Sequence, residues 1–283
     1  MTAPRRRLLD SRVLITGAGS GLGRACALAF AARGWRVACS DRDAAAAEQT
    51  LGLLRAAGGT GLALAVDVCS EASFSAAVDR LQREWNGLDV LINNAGIATA
   101  GTVADAPLAQ WQQVLDINLL GCVRGARAVI PLLQAQRGGH IVNVASFAGI
   151  ANPPAMASYN AAKAAVISLS ETLRYELFPS QVGVSVACPS FFKTRLLETS
   201  RALAADPALD AAPQMNRIVE RLMAKATVSA EDVAADILDA VLNNRFMVMT
   251  HPDARSRARL KRVSPELYFR LAQKMTEAFL RRP

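Results

Sequence analysis

The sequence predicts an α/β fold: a doubly wound parallel sheet of about seven strands with helices on both faces. Three observations carry this. Short apolar runs recur seven times along the chain, and stretches with helical spacing separate them. Each run is apolar throughout instead of alternating, which is the pattern of strands covered on both faces. Strand–helix alternation with right-handed crossovers then makes the sheet parallel.

In order, the first run is "RVLITGA" (12–18), followed by a helical stretch over 22–33. "WRVACSD" (35–41) precedes a helix over 43–57, and "GLALAVDV" (61–68) precedes one over 70–86. "LDVLINNAG" (88–96) leads to a long helical pattern over 108–137. "GHIVNVAS" (139–146) leads to a helix over 158–178, and "GVSVACPS" (183–190) to an insert over 191–228. A helix over 229–243 and the run "RFMVMT" (245–250) complete the alternation. An insert at the C-terminal edge of a strand is placed to cap a ligand crevice. No linker or repeat interrupts 1–250, which reads as one domain, with 251–283 as a basic helical extension. In that extension Ser264 is the expected N-cap and Pro265 the first helical residue. Tyr268, Leu271, Met275 and Phe279 would form an apolar stripe that packs on the body or on a second subunit.

The net charge of +8 suggests nucleic acid until it is located. Residues 1–12 carry four arginines and one acid, and residues 251–283 carry nine Lys/Arg and three acids. The ends therefore hold +3 and +6, and 13–250 is left at −1. No nucleic-acid motif accompanies the charge, so no nucleic-acid partner is expected. The tail is expected to be solvated, with contact to an acidic partner or a membrane surface as the alternative. No run reaches the ~18 apolar residues of a membrane span. The N-terminal arginines lack the apolar segment of a signal peptide. The five cysteines are scattered without C-x-x-C or Cys/His spacing, so no metal is expected, and a reducing cytoplasmic setting follows.

"ITGAGSGLGRA" ends the first strand and opens the first helix. Glycines there allow a tight turn and let backbone N–H groups approach a phosphate at the helix N-terminus. Neither a Walker loop nor the long G-x-G-x-x-G form fits. The spacing is Gly17, Gly21, Gly23 after Thr16, and Gly17, Ser20, Gly21, Leu22 and Gly23 are the candidate cofactor contacts. Asp41 ends the second strand, 24 residues after Gly17, where an acid accepts hydrogen bonds from an adenosine ribose. It would repel a 2′-phosphate, so NAD is expected over NADP. Arg42 follows directly and can accommodate that phosphate, which keeps NADP open.

Tyr159 and Lys163 lie four apart, on one face of a helix. A cation near a phenol lowers its pKa towards neutrality, which gives an acid/base that works near pH 7. Ser146 ends a strand thirteen residues upstream, where its hydroxyl can hold a substrate oxygen. No G-x-S-x-G elbow surrounds Ser146, and no motif surrounds His140 or His251, so a serine hydrolase is set aside.

Together these residues resemble the short-chain dehydrogenase/reductase family over roughly 10–250. The glycine turn, "NNAG" (93–96), "DINLLG" (116–121), Ser146 and "YNAAK" (159–163) carry the resemblance. It implies a Rossmann-like fold and reversible hydride transfer between a nicotinamide and an alcohol or ketone. Tyr159 would be the acid/base. Lys163 would lower its pKa and bind the nicotinamide ribose, and Ser146 would orient the substrate oxygen. Asn118 would hold a water that relays protons to Lys163. Asp67 and Val68 would contact adenine, and Asn94, Ala95 and Gly96 would line the cofactor cleft. Pro189, Phe192 and Thr194 keep the family's places after the sixth strand, while Ser190 replaces its usual glycine. Phe147, Phe191, Met215 and Met223 either line an apolar pocket, which suggests a hydrophobic substrate, or simply pack the lid. The long tail would obstruct the family's tetramer contact, which leaves a homodimer through 108–137 and 158–178, with a tetramer as the alternative. The competing reading is a catalytically silent nucleotide-binding regulatory or scaffold protein of the same fold.

Overall fold

The computed structural model describes residues 10–192 and 226–280, with the side chains of 275–280 left aside. Seven parallel strands form one sheet in the order β3-β2-β1-β4-β5-β6-β7. They are β1 (Arg12–Thr16), β2 (Arg36–Asp41), β3 (Thr60–Ala65), β4 (Val90–Asn93), β5 (His140–Val144), β6 (Gly183–Ala187) and β7 (Met247–Val248). The order reverses between β1 and β4, which opens a crevice at the C-terminal edge of the sheet.

The helices cover both faces, as the alternation requires. They are α1 (Gly21–Ala31), α2 (Ala44–Ala56), α3 (Glu71–Trp85), α4 (Leu108–Leu115), α5 (Gly121–Gln136), α6 (Ala148–Ala151), α7 (Ala157–Glu176) and α8 (Ala230–Asn243). Val13 and Ile15 of β1 join α1, α2 and α8 in one apolar core, through Phe30, Leu51, Ile237 and Val241. Leu14 points the other way and joins Phe74 and Leu81 of α3, Val129 and Leu133 of α5, and Leu173 of α7. Two faces and two cores explain why the strands read as unbroken apolar runs.

Local signals set the helix ends. Asp43 caps α2 by accepting from the N–H groups of Ala45 and Ala46. Ser229 and Asp232 form a capping box at the start of α8. At the N-terminal edge of the sheet, Arg12 and Asp89 form a fully buried ion pair, 2.9 Å from Nε to Oδ2. Arg12 Nη1 also donates to the carbonyls of Trp85 (3.0 Å) and Asn86 (2.8 Å).

Two expectations need correction. The helical pattern over 108–137 is not one helix: a π-helical turn, Asp116–Leu120, separates α4 from α5. The extension holds two helices, α9 (Pro252–Val263) and α10 (Pro265–Leu280), and α9 is not wholly solvated: it touches α6 and buries Ala254. In the stripe Tyr268 is buried and Leu271 is exposed, while the side chains of Met275 and Phe279 lie outside the described residues. Most of the 191–228 insert, with Thr194, Met215 and Met223, lies outside the described residues. No helix among the described residues is long and apolar enough to cross a membrane.

Candidate active site

One cleft of about 310 Å³ follows the C-terminal edge of the sheet. At one end lies the turn between β1 and α1. Gly17 (φ +65°) and Gly21 (φ +50°) are in the left-handed region that suits glycine. A Cβ on Gly23 would sit 2.1 Å from the Gly17 carbonyl oxygen, so Gly23 closes the turn on itself. Thr16 Oγ1 accepts from the N–H groups of Asn94 (3.0 Å) and Ala95 (3.1 Å). Asn94 Nδ2 donates to the carbonyl of Thr16 at 2.9 Å. Asn94 therefore ties the end of β4 to the turn as well as lining the cleft.

Ser20 starts α1 without capping it through its side chain, and no acid occupies the first helical turn. The free N–H groups and the positive end of the helix dipole face the cleft, a cradle suited to an anion. Asp41 lines the same cleft: its Oδ2 accepts from Gly19 N (3.0 Å) and its Oδ1 from Asp43 N (3.1 Å). Its carboxylate is fixed before anything binds. Gly19 matched no fingerprint, yet a Cβ there would fall 2.7 Å from Asp41 Oδ2. Arg42, Asp67 and Val68 line the cleft beside Asp41. The residues thus fit a dinucleotide: an acid and apolar groups at one end, and a phosphate cradle beside them.

The middle of the cleft holds Ser146, Tyr159 and Lys163. Ser146 stands just beyond β5, and Tyr159 and Lys163 share the first turns of α7. Thr99 Oγ1 and Ser158 Oγ are hydrogen bonded at 3.0 Å, and Asn160 Nδ2 donates to the Pro153 carbonyl at 2.7 Å. These bonds fix the start of the helix. Tyr159 is 7% exposed and Lys163 4%. Lys163 Nζ lies 5.8 Å from the centre of the Tyr159 ring and donates to the Val144 carbonyl at 2.8 Å.

The electrostatics differ from the sequence expectation. Burial pushes the Tyr159 phenol above its ordinary value, and the Ser146 hydroxyl pulls the other way. Burial likewise pushes the Lys163 ammonium down. In the chain alone, desolvation of the phenol outweighs any lowering by Lys163. Cys122 is pushed up to about 11 and Cys188 to about 12, both by burial, so both stay as protonated core thiols.

Asn118 lies behind the cleft wall, fully buried in the π-helical turn, a bulge that recurs at functional sites. Its Oδ1 accepts from Ile97 N (2.8 Å) and its Nδ2 donates to Ile97 O (2.9 Å). Both side-chain atoms are thereby engaged. Gly96 fits between Asn118 and Lys163: a Cβ there would be 2.8 Å from Asn118 Oδ1 and 3.4 Å from Lys163 Nζ.

At the far end, Pro189, Ser190, Phe191 and Phe192 line the cleft after β6. Ser190 has no left-handed φ, so serine replaces the family's glycine there without backbone strain. Phe191 packs beside Tyr159 and Met156, whereas Phe192 is buried against the core shared by α1 and α8. His251 holds this loop: Ser190 N donates to its Nδ1 (3.3 Å) and its Nε2 faces the Phe191 carbonyl (2.9 Å). Those partners put the ring proton on Nε2. Arg257 of α9 also lines the cleft. Neither residue carries a local motif. Each lies nearly a hundred residues beyond Tyr159, and only the path of the chain after β7 brings it here.

The model of the short chain dehydrogenase family matches residues 11–204. The chain is 34% identical over 264 residues to "Probable oxidoreductase EphD" of Mycobacterium tuberculosis, covering 93% of this chain. It spans only 45% of that relative's length. It is 32% identical over 254 residues to the "CLA biosynthesis dehydrogenase/reductase" of Lactiplantibacillus plantarum, covering 86% of this chain and 89% of the relative. A crystal structure of a short chain dehydrogenase/reductase from Burkholderia phymatum in complex with NAD superposes with a TM-score of 0.84 at 34% identity. That match covers 92% of this chain and 96% of the other. The chain therefore belongs to the short-chain dehydrogenase/reductase family of oxidoreductases.

Proposed function

We propose that the chain catalyses reversible hydride transfer between a nicotinamide dinucleotide and a secondary alcohol or ketone, with Tyr159 as the acid/base. The observation that carries this is the gathering of Ser146, Tyr159 and Lys163 in the one cleft that also holds the glycine cradle. The bound nicotinamide would supply the site that takes or gives the hydride. The rest is the work of this chain. Ser146 and Tyr159 hold the substrate oxygen between two hydroxyls. Tyr159 Oη takes the alcohol proton during oxidation and returns it during reduction. Lys163, pinned to Val144, places its positive charge near the phenol and stabilises the phenolate as it forms. Gly17, Ser20, Gly21 and Leu22 would hold the phosphates, and Asp67 and Val68 the adenine. Asn118 positions Ile97 and the cleft floor. A relay water at residue 118 would share its backbone carbonyl with the Cys122 thiol (3.4 Å), because its amide is engaged.

Asp41 favours NAD: its fixed carboxylate would repel a 2′-phosphate, and the Burkholderia relative was crystallised with NAD. A homodimer through 108–137 and 158–178 fits the exposed Leu120 of the π-helical turn and Tyr175 of α7. A fluorescence titration tests the cofactor assignment. NADH should bind more tightly than NADPH, and Asp41→Ala should narrow the gap. Equal or reversed affinities in the unaltered protein overturn the role given to Asp41.

A further inference from the structure

The sheet order fixes direction along the cleft. The phosphate cradle and Asp41 lie at the ends of β1 and β2, and Ser146 lies past β5. Phe191 and the start of α9 lie beyond β6 and β7, at the opposite end from Asp41. The walls there are apolar: Ala98, Phe147, Ala148, Met156 and Phe191. Among the described residues, Arg257 is the charged side chain set into this end.

Arg257 is held in a specific pose. Its guanidinium carbon stands 5.3 Å from the centre of the Phe147 ring, and Phe147 directly follows Ser146. The helix bearing it is fastened on three sides. Lys261 Nζ donates to the Ile150 carbonyl of α6, Arg255 Nε donates to the Met249 carbonyl at 2.9 Å, and His251 holds the loop after β6. Arg257 itself donates no hydrogen bond among the described residues. Its ion pair with Asp253 is long, 3.9 Å, between side chains 37% and 66% exposed, and such pairs contribute little. A guanidinium stacked on a ring keeps its planar edge free, and that edge matches the two oxygens of a carboxylate or a phosphate.

We infer that Arg257 is a specificity-determining residue of this cleft and that the substrate is an amphipathic oxo or hydroxy compound. Its reacting carbon lies at Tyr159, its apolar body along Phe147, Met156 and Phe191, and its oxyanion group on Arg257. The cofactor's own phosphates belong at the glycine turn, across the sheet, so the anion that Arg257 reads is the substrate's. The inference rests on the proposed reaction and narrows its substrate class.

The test uses NADH reduction of a graded series of methyl-ketone acids, with the oxo group on the penultimate carbon of the chain, their methyl esters, and counterparts with a phosphate in place of the carboxylate. The acid or the phosphate of the best chain length should exceed its neutral ester in kcat/KM by about tenfold or more, the scale of a charged hydrogen-bonded pair. The arm that wins identifies carboxylate or phosphate. Arg257→Met should collapse the charged-to-neutral ratio towards one through KM, and Arg257→Lys should restore part of it. Equal acid, phosphate and ester rates, or an unchanged ratio in Arg257→Met, overturn the inference while the reaction stands. If no ketone of any charge is reduced, the proposed reaction fails instead. Binding then tests Arg257 by itself: octanoate should bind the enzyme–NADH complex about tenfold more tightly than octanamide, and Arg257→Met should erase the difference. Equal binding of the two overturns the inference.

Discussion

Gly23→Ala probes whether the cofactor end rests on backbone closeness. The added Cβ would lie 2.1 Å from the Gly17 oxygen and 2.6 Å from Asn94 Nδ2, against the 3.4 Å at which ordinary contact begins. The first contact must therefore open by about 1.3 Å, and both atoms belong to the frame of the turn. Overpacking of this kind costs about 1–3 kcal/mol. For a chain of this size that is roughly 2–6 °C in Tm. The same shift misaligns the N–H groups of the cradle. Charge-assisted bonds contribute about 1.5–3 kcal/mol each, so losing one weakens NADH binding by about tenfold or more. Gly52→Ala is the control: it lies inside α2 with nothing within 4 Å of a Cβ. Alanine there removes a glycine penalty of roughly 0.5–1 kcal/mol and should raise Tm slightly. Differential scanning fluorimetry and NADH titration read both variants. If Gly23→Ala keeps its Tm and its NADH affinity within twofold, as Gly52→Ala should, the close-packed turn is not what holds the cofactor.

Two further outcomes follow from particular side chains. Asp89→Asn leaves the Arg12 guanidinium buried beside a neutral amide, a loss of about 3–5 kcal/mol. Its Tm should fall by roughly 6–10 °C, and a fall below about 2 °C would show that the pair is not structural. Because burial holds the Tyr159 phenol above its ordinary value, its base form fills only as pH rises. The kcat/KM of alcohol oxidation should therefore climb from about pH 6 to pH 10, while ketone reduction, which needs the protonated phenol, should stay level up to about pH 10. A flat oxidation profile would remove Tyr159 as the base.

Much of the fold was legible because its signals are local. Val13, Leu14 and Ile15 are apolar in succession since each faces a helical layer. Tyr159 and Lys163 announced themselves by sharing a helical face, and Gly17, Gly21 and Gly23 by their place between strand and helix. What was hidden depends on distant partners. The π-helical turn shows no break in "DINLL": it accompanies the grip of the Asn118 amide on Ile97, twenty-one residues away. Gly19 fitted no spacing rule, yet it is needed where the Asp41 carboxylate crosses the turn. The charge-rich extension looked solvated because cations usually are. Instead Arg255 and Lys261 lay their stems along the protein and donate to backbone carbonyls, which draws α9 onto the wall of the cleft. Spacing reveals a cation beside Tyr159 but not how completely the phenol is buried, and in the chain alone that burial pushes its pKa up.

The central claim is that the Tyr159 hydroxyl moves the proton. Tyr159→Phe removes that oxygen alone and keeps the ring that packs beside Met156 and Ala98. NADH affinity and Tm should stay close to those of the unaltered protein, while turnover of every accepted alcohol and ketone falls by about 100-fold or more. Turnover within tenfold of the unaltered protein, with the cofactor still bound, would contradict the account.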